Sequence, residues 1–309
     1  TRDGIHGREF ISTAVDLGER PGVLAFDDTG VASAPLPRPF SLLIPILFDA
    51  PPLLVEDPIL CRVLAEAAGR IQTLAVLPIR RLLAQGLQGP AVAPLVRPEE
   101  IQSTGELREP PPILELDGWD AGAYRALKMR FPATPLYVRL PLECDALPLA
   151  RSGVRLFHLT ADYHGRADGV FVGEAIRRQH AALVQAGIRE EVVLLGSGGI
   201  IAAADVAKAI ICGLDAVALD TAVLVALQGR LEGECRERSM AQVALPRFEE
   251  AWGVQRLCNL AAVWRDQLLE ILGAMGLREV RRLRGEHGRA MFQAELEREA
   301  FAGIAGFEG

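Results

Sequence analysis

Gly196-Ser197-Gly198-Gly199 lies between an apolar run, VVLLG (192–196), and a helical stretch, AAADVAKAIICG (202–213). This order can hold an anion. Glycines let the backbone turn tightly, their N–H groups face the ligand, and the following helix adds the positive end of its dipole. A ligand-free strand-to-helix turn reads the same way. A second small-residue turn, Asp220-Thr221-Ala222, lies within LDTAV (219–223). The most reactive-looking loop is TADYHGRADG (160–169), with Asp162, Tyr163, His164, Arg166 and Asp168. His164 could exchange protons near neutral pH, and Arg166 could grip a carboxylate or phosphate at two points. The plainer reading is a polar surface loop with Gly165 and Gly169 as turn residues. His158 lies within an apolar run and reads as a packed, hydrogen-bonded core residue. His180 and His287 have no second ligand at metal spacing, so no metal is expected. The segment DGIHGRE (3–9) reads as a turn. There is no GxSxG elbow and no P-loop.

The elements that would carry these groups follow an alternating rhythm from residue 41. Eight apolar runs read as strands: 41–48, 71–77, 91–96, 112–116, 135–140, 154–159, 192–196 and 215–219. They mostly lack polar alternation, as strands buried on both faces do. Helical patterns cover 56–70, 119–130, 172–187 and 202–213, the last two closing on Gly187 and Gly213. Runs 91–96 and 112–116 are flanked by proline, with no clear helix between them. The count predicts an α/β chain, a (β/α)8 TIM barrel over residues 41–232, with an open doubly wound sheet as the rival. Residues 1–40 read as an extended N-terminal arm. Residues 233–309 read as a helical extension, with one long amphipathic helix at 252–276 for the barrel's outside or for an oligomer contact. The Arg cluster from Arg278 to Arg289 reads as a solvated face.

Composition narrows the partners. Half of the 309 residues are hydrophobic and the net charge is −7, which gives a sizeable core and argues against a nucleic-acid surface. Aromatics make up 6%, too few for a base-stacking platform. No apolar run reaches membrane-spanning length, and TRDGIHGREF lacks the apolar region of a signal peptide. Five scattered cysteines without a CxxC pair fit reduced thiols in a cytoplasmic protein. The chain starts at Thr1 rather than Met, as a processed product or part of a longer protein would.

The stretch GSGGIIAAADVAKAIICGLDAVALDTAVLVALQG (196–229) resembles the flavin-binding barrel of the glutamate synthase family. WGVQRLCNLAAVWRDQLLEILGAMGLREVRRLRG (252–285) is similar to that family's C-terminal helix and tail, and the likeness covers residues 135–290. The resemblance implies reductive synthesis of glutamate from 2-oxoglutarate on flavin mononucleotide (FMN). It places the FMN phosphate on the loops after strands seven and eight, at Gly196, Ser197, Gly198, Gly199, Asp220, Thr221 and Ala222. Arg139, in LYVRL, stands where the family has a basic residue near flavin and substrate.

Three departures stand out. Asp220 replaces the family's usual glycine, and a carboxylate aimed at a phosphate repels it. It could instead point away, cap the next helix or bond a ribityl hydroxyl. The Cys-rich segment after strand eight retains only Cys235, so no iron–sulfur cluster is expected in this chain. TADYHGRADG stands where the family has GGTGA.

The first expectation is therefore an FMN-dependent oxidoreductase of glutamate synthase type acting on a small-molecule substrate. Arg139 and His164 would be catalytic, and Asp162 and Arg166 would bind substrate. No domain for reducing the flavin is recognisable, so electrons would come from a partner subunit or another domain. A flavin-free barrel serving as a structural or regulatory subunit is the alternative. A barrel for another phosphorylated ligand is the third reading.

Overall fold

The computed structural model describes residues 10–20, 26–31, 40–52, 58–233, 238 and 241–286. Its centre is a closed parallel barrel of eight strands. In chain order these are β1 (Ile46–Phe48), β2 (Ala75–Pro78), β3 (Val92–Val96), β4 (Leu114–Asp117), β5 (Leu136–Pro141), β6 (Leu156–Thr160), β7 (Val193–Ser197) and β8 (Ala216–Leu219). All eight apolar runs supply a strand. Closure comes from β8 pairing with β1, at Val217 with Ile46, Ala218 with Leu47 and Leu219 with Phe48. That pairing decides for the (β/α)8 barrel over the open sheet.

The helices are α1 (Pro58–Ile71), α2 (Ile79–Ala84), α3 (Ala121–Arg130), α4 (Leu147–Arg151), α5 (Val172–Gln185), α6 (Ala203–Cys212), α7 (Thr221–Ala226) and α8 (Glu250–Ala274). A 3-10 segment, Pro98–Glu106, crosses from β3 to β4, where no helical periodicity was legible. Proline at its start and Gly105 near its end favour a tight, irregular turn over an α-helix. Helix α8 packs on α1 and α6, on the barrel's outside. Val254, Leu257, Ala261, Leu268 and Leu272 are buried on its inner stripe.

Two expectations are corrected at the N-terminal end of the barrel. The run 41–48 is not one strand: Ser41–Leu42 pairs antiparallel with Val15–Asp16, and only Ile46–Phe48 enters the barrel. Residues 10–20 are thus packed against the body of the protein, with Ile11, Val15 and Leu17 buried. Tyr137 Oη donates to the Leu17 carbonyl at 2.6 Å. The second correction concerns Arg284, which is not part of a solvated face. It donates to Asp215 at 2.7 Å, beside Arg189 at 2.9 Å and Arg20 at 3.1 Å. A buried carboxylate needs such partners, and Asp215, just before β8, collects them from three distant segments. Arg281 and Arg282 are exposed, as expected. Arg289 lies outside the described residues.

Burial opposes ionisation of Asp215, but Arg189, Arg20 and Arg284 outweigh it and hold the carboxyl at about 2. A carboxyl depressed in the folded state stabilises above its unfolded value and loses that contribution as pH falls through its folded value. Asp215 should therefore contribute about 2 kcal/mol at neutral pH, lost between about pH 4 and pH 2. Urea melts of Asp215→Asn should show lower stability at pH 7 and a shallower acid limb. An unchanged acid limb would refute this assignment.

Candidate active site at the C-terminal mouth of the barrel

Charged residues stand on the strands inside otherwise apolar runs, so the barrel turns them inward, where they must find one another. Asp49 directly follows β1, Glu115 and Asp117 lie on β4, Arg139 on β5, His158 on β6, and Ser197 ends β7. Parallel pairing sets Asp117 beside Arg139 and Arg139 beside His158. Arg139 donates from Nη1 and Nη2 to the two carboxylate oxygens of Asp49, at 2.7 and 2.8 Å. Nη1 also lies 3.2 Å from Glu115 Oε2. His158 Nδ1 lies 2.9 Å from Glu115 Oε1, and its Nε2 lies 3.1 Å from Ser197 Oγ. His158 is fully buried and hydrogen-bonded, in keeping with its reading as a core residue.

Arg238 completes the network from above. Its Nη2 donates to Asp49 Oδ2 at 2.7 Å, and its Nη1 donates to Asp220 Oδ2 at 2.7 Å and to the Ala161 carbonyl at 3.0 Å. Its guanidinium carbon lies 4.6 Å from the Tyr163 ring centroid, within cation–π range. Burial raises the Asp49 carboxyl, but Arg139, His158 and Arg238 outweigh it and hold it well below the usual range. Burial lowers Arg139, and Asp49 and Glu115 more than restore it, so this arginine is a fixed cation. Burial pushes the Tyr163 phenol up to about 12. Asp117 is raised above the ordinary carboxylate value, mainly by burial, against the pull of Arg139.

A cavity of about 770 Å³ opens at this end of the barrel. Arg139, Asp162, Tyr163, Arg166, Asp168, Asp117 and Arg238 line it, together with Pro51 and Pro52. Asp162 and Arg166 are therefore at the mouth, as their strand-end position implied. His164 is exposed and is not part of the lining. Asp162 Oδ1 accepts the N–H groups of His164 and Arg166, at 2.9 and 2.8 Å, and folds the turn that presents His164 outward.

The glycine turn has a structural duty. Gly198 and Gly199 have φ of 98° and 72°. A Cβ on Gly198 would lie 2.6 Å from the Ala161 carbonyl oxygen, and one on Gly199 would lie 2.3 Å from Gly165 Cα. The backbone of the loop after β6 therefore rests directly on this turn. Ser197 Oγ is turned inward to His158. Asp205 accepts from the N–H groups of Ile201 and Ala202 at 3.3 and 3.0 Å, so α6 carries its own cap. Asp220 folds back onto its own turn and caps α7, where its Oδ1 accepts the Thr221 N–H at 2.5 Å. Ala222 is buried. Gly196, Ser197, Gly198, Gly199, Asp220, Thr221 and Ala222 thus lie at the ends of the adjacent strands β7 and β8, but none of them lines the cavity. Arg238 and Tyr163 are on its wall instead.

Residues 165–278, which hold this turn, β7, β8 and α8, match the conserved region in glutamate synthase. The archaeal glutamate synthase [NADPH] of Methanocaldococcus jannaschii is 35% identical over 128 residues, 39% of this chain and 25% of that protein. Over this region the chain is similar to the glutamate synthase family. The archaeal-type glutamate synthase [NADPH] of Thermotoga maritima is 31% identical over 174 residues, 49% of this chain and 34% of that protein. The chain thus spans a quarter to a third of those relatives' length. Solved structures agree on the fold. A pyruvate-bound double mutant of flavocytochrome b2 superposes with TM-score 0.54 at 15% identity, over 97% of this chain and 79% of that one. A mandelate oxidase variant gives 0.53 at 15% identity, over 88% and 86%.

Sequence reasoning missed Asp49, Glu115, Asp117 and Arg238. The first three had a signal: an acid within or directly after an apolar strand run, at the end where barrels place their chemistry. Arg238 had none, because nothing local links it to the mouth. Cys235 and His6 lie outside the described residues. No helix among the described residues is long and apolar enough to cross a membrane. No group of three or more metal-ligating side chains is assembled among them.

Proposed function

We propose that this domain is an FMN-dependent oxidoreductase of glutamate synthase type. Its reaction would be reductive amination of a 2-oxo acid such as 2-oxoglutarate, with electrons from a partner subunit or another domain. The observation that carries this reading is the place of the family match. The matched region supplies the two turns that follow the neighbouring strands β7 and β8.

The residues of those turns fit a phosphate, with one group in the way. Among the described residues no acceptor meets the N–H groups of Gly198, Gly199 and Ile200. Thr221 Oγ1 is buried without a hydrogen-bond partner among the described residues, a state that costs free energy until an acceptor or donor arrives. The group in the way is the carboxylate of Asp220, which takes the Thr221 N–H and the Arg238 guanidinium. Gly198, Gly199, Ile200 and Thr221 would hold the phosphate, and FMN when bound would supply the hydride chemistry. Around it, Arg139 keeps a permanent positive charge at the cavity floor, fixed in place by Asp49 and Glu115. Arg166 is exposed at the rim, with a guanidinium able to meet a substrate carboxylate. Asp117 lines the cavity with a carboxyl raised above the ordinary value, mainly by burial. Tyr163 stays protonated and packs over Arg238.

A flavin-free barrel is the second reading, favoured by Asp220 itself. The visible spectrum separates the two. Protein purified natively should be yellow, or turn yellow on reconstitution, and should release FMN on heating. A colourless protein that takes up no FMN would overturn the oxidoreductase reading.

A further inference from the structure

We propose that Arg238 is an anion-binding residue of the β8 turn, and that Asp220 occupies its anion place in the absence of ligand. The proposal rests on the phosphate reading above and adds two residues to it. The carboxylate of Asp220 is held as a bound anion would be. One oxygen meets a backbone N–H, that of Thr221 at 2.5 Å, and the other meets a guanidinium, that of Arg238 at 2.7 Å. A second observation points to a ligand at the same turn: Thr221 is 93% buried (7% relative exposure) and its hydroxyl has no partner among the described residues. The Asp220 carboxylate supplies an acceptor for the N–H of that residue and leaves the hydroxyl unmet.

Arg238 does not depend on Asp220 for its position. Its Nη2 is fixed by Asp49 at 2.7 Å, its Nη1 also reaches the Ala161 carbonyl, and its face rests on Tyr163. Removing Asp220 therefore leaves a preorganised guanidinium whose remaining charge is half met. Planar guanidinium forks suit phosphate oxygens as well as carboxylates. Local charge sets the competition. Arg139 and Arg238 are balanced by Asp49 and Asp220, with Glu115 paired to Arg139, so an added phosphate meets no net positive charge while Asp220 stays. An incoming phosphate must displace the carboxylate, and the pair thereby acts as a gate on anion entry.

Inorganic phosphate and FMN, each titrated into wild-type protein, Asp220→Asn, Arg238→Met and the double variant, test this. Binding is read by calorimetry and by thermal shift. Asparagine keeps an oxygen for the Thr221 N–H and loses the charge, so Asp220→Asn should bind phosphate at least about ten-fold tighter than wild type. Adding Arg238→Met should cancel that gain. Circular dichroism of the double variant shows whether it folds, and Arg238→Lys in the Asp220→Asn background, expected to keep part of the gain, gives a second check. No gain in Asp220→Asn would overturn the proposal. So would a gain that survives loss of Arg238. Tight FMN binding by wild type, unchanged in Asp220→Asn, would leave the flavin reading standing and sink this one. A gain for phosphate with none for FMN would support the anion place and sink the flavin reading instead.

Discussion

Arg139→Met should cost about 3–5 kcal/mol of folding stability, because it leaves buried carboxylates without their main cation. Asp49 and Glu115 are 2% and 0% exposed, and Arg139 bonds both. A domain of this size has only about 5–15 kcal/mol in hand, so the variant should melt early or fail to fold. Arg238 still reaches Asp49, which limits the damage at that carboxylate but does nothing for Glu115. The effect has a pH signature. The Asp49 carboxyl is depressed in the folded protein, so its contribution is present above the ordinary carboxylate value and fades below it. The deficit of Arg139→Met should thus persist from pH 7 down to near pH 4 and shrink only below that, as read by urea midpoints. A substitution that costs under about 1 kcal/mol at both pH values would mean the network adds specificity but little stability.

Gly199→Ala should be nearly as damaging, for a different reason. The left-handed backbone at φ 72° costs an L-residue about 1–2 kcal/mol, and the new Cβ would lie 2.3 Å from Gly165 Cα. Backbone cannot yield as a flexible side chain does, so overpacking adds about 1–3 kcal/mol. Gly169→Ala is the matched control, with φ 76° but no atom within 4 Å of its Cβ. It should cost only the backbone penalty. Equal urea midpoints for the two variants would show that the loop after β6 gives way freely. The same geometry limits what any substitution at Gly198 or Gly199 can reveal about a cofactor. Such a change breaks the seat of the β6 loop whether or not a phosphate binds. Variants at Asp220 and Arg238 are the informative ones, since they alter charge without adding atoms to the turn.

The sequence by itself determined the barrel's parts. Each strand is a short apolar run that its neighbours bury on both faces, and each major helix carries a 3.6-residue stripe; both are local patterns. Gly198-Gly199 and Asp162 could be placed at strand ends for the same reason. The glutamate synthase likeness was legible in the local order of strand, glycine turn and helix.

Closure was decided only by the tertiary structure, because it depends on β8 meeting β1 across some 170 residues. So were the splitting of 41–48, the inward capture of Arg284 by Asp215, and the outward face of His164. The charged network at the mouth belongs with them. Asp49 meets Arg139 across 90 positions and Arg238 across 189. A charged residue in an apolar run announces that it needs a partner, but only the folded chain brings the partner to it. Asp220 shows the limit most clearly. Its type warned of repulsion toward a phosphate. Its direction, onto the Thr221 N–H and Arg238, was set by a guanidinium that arrives from outside the barrel strands.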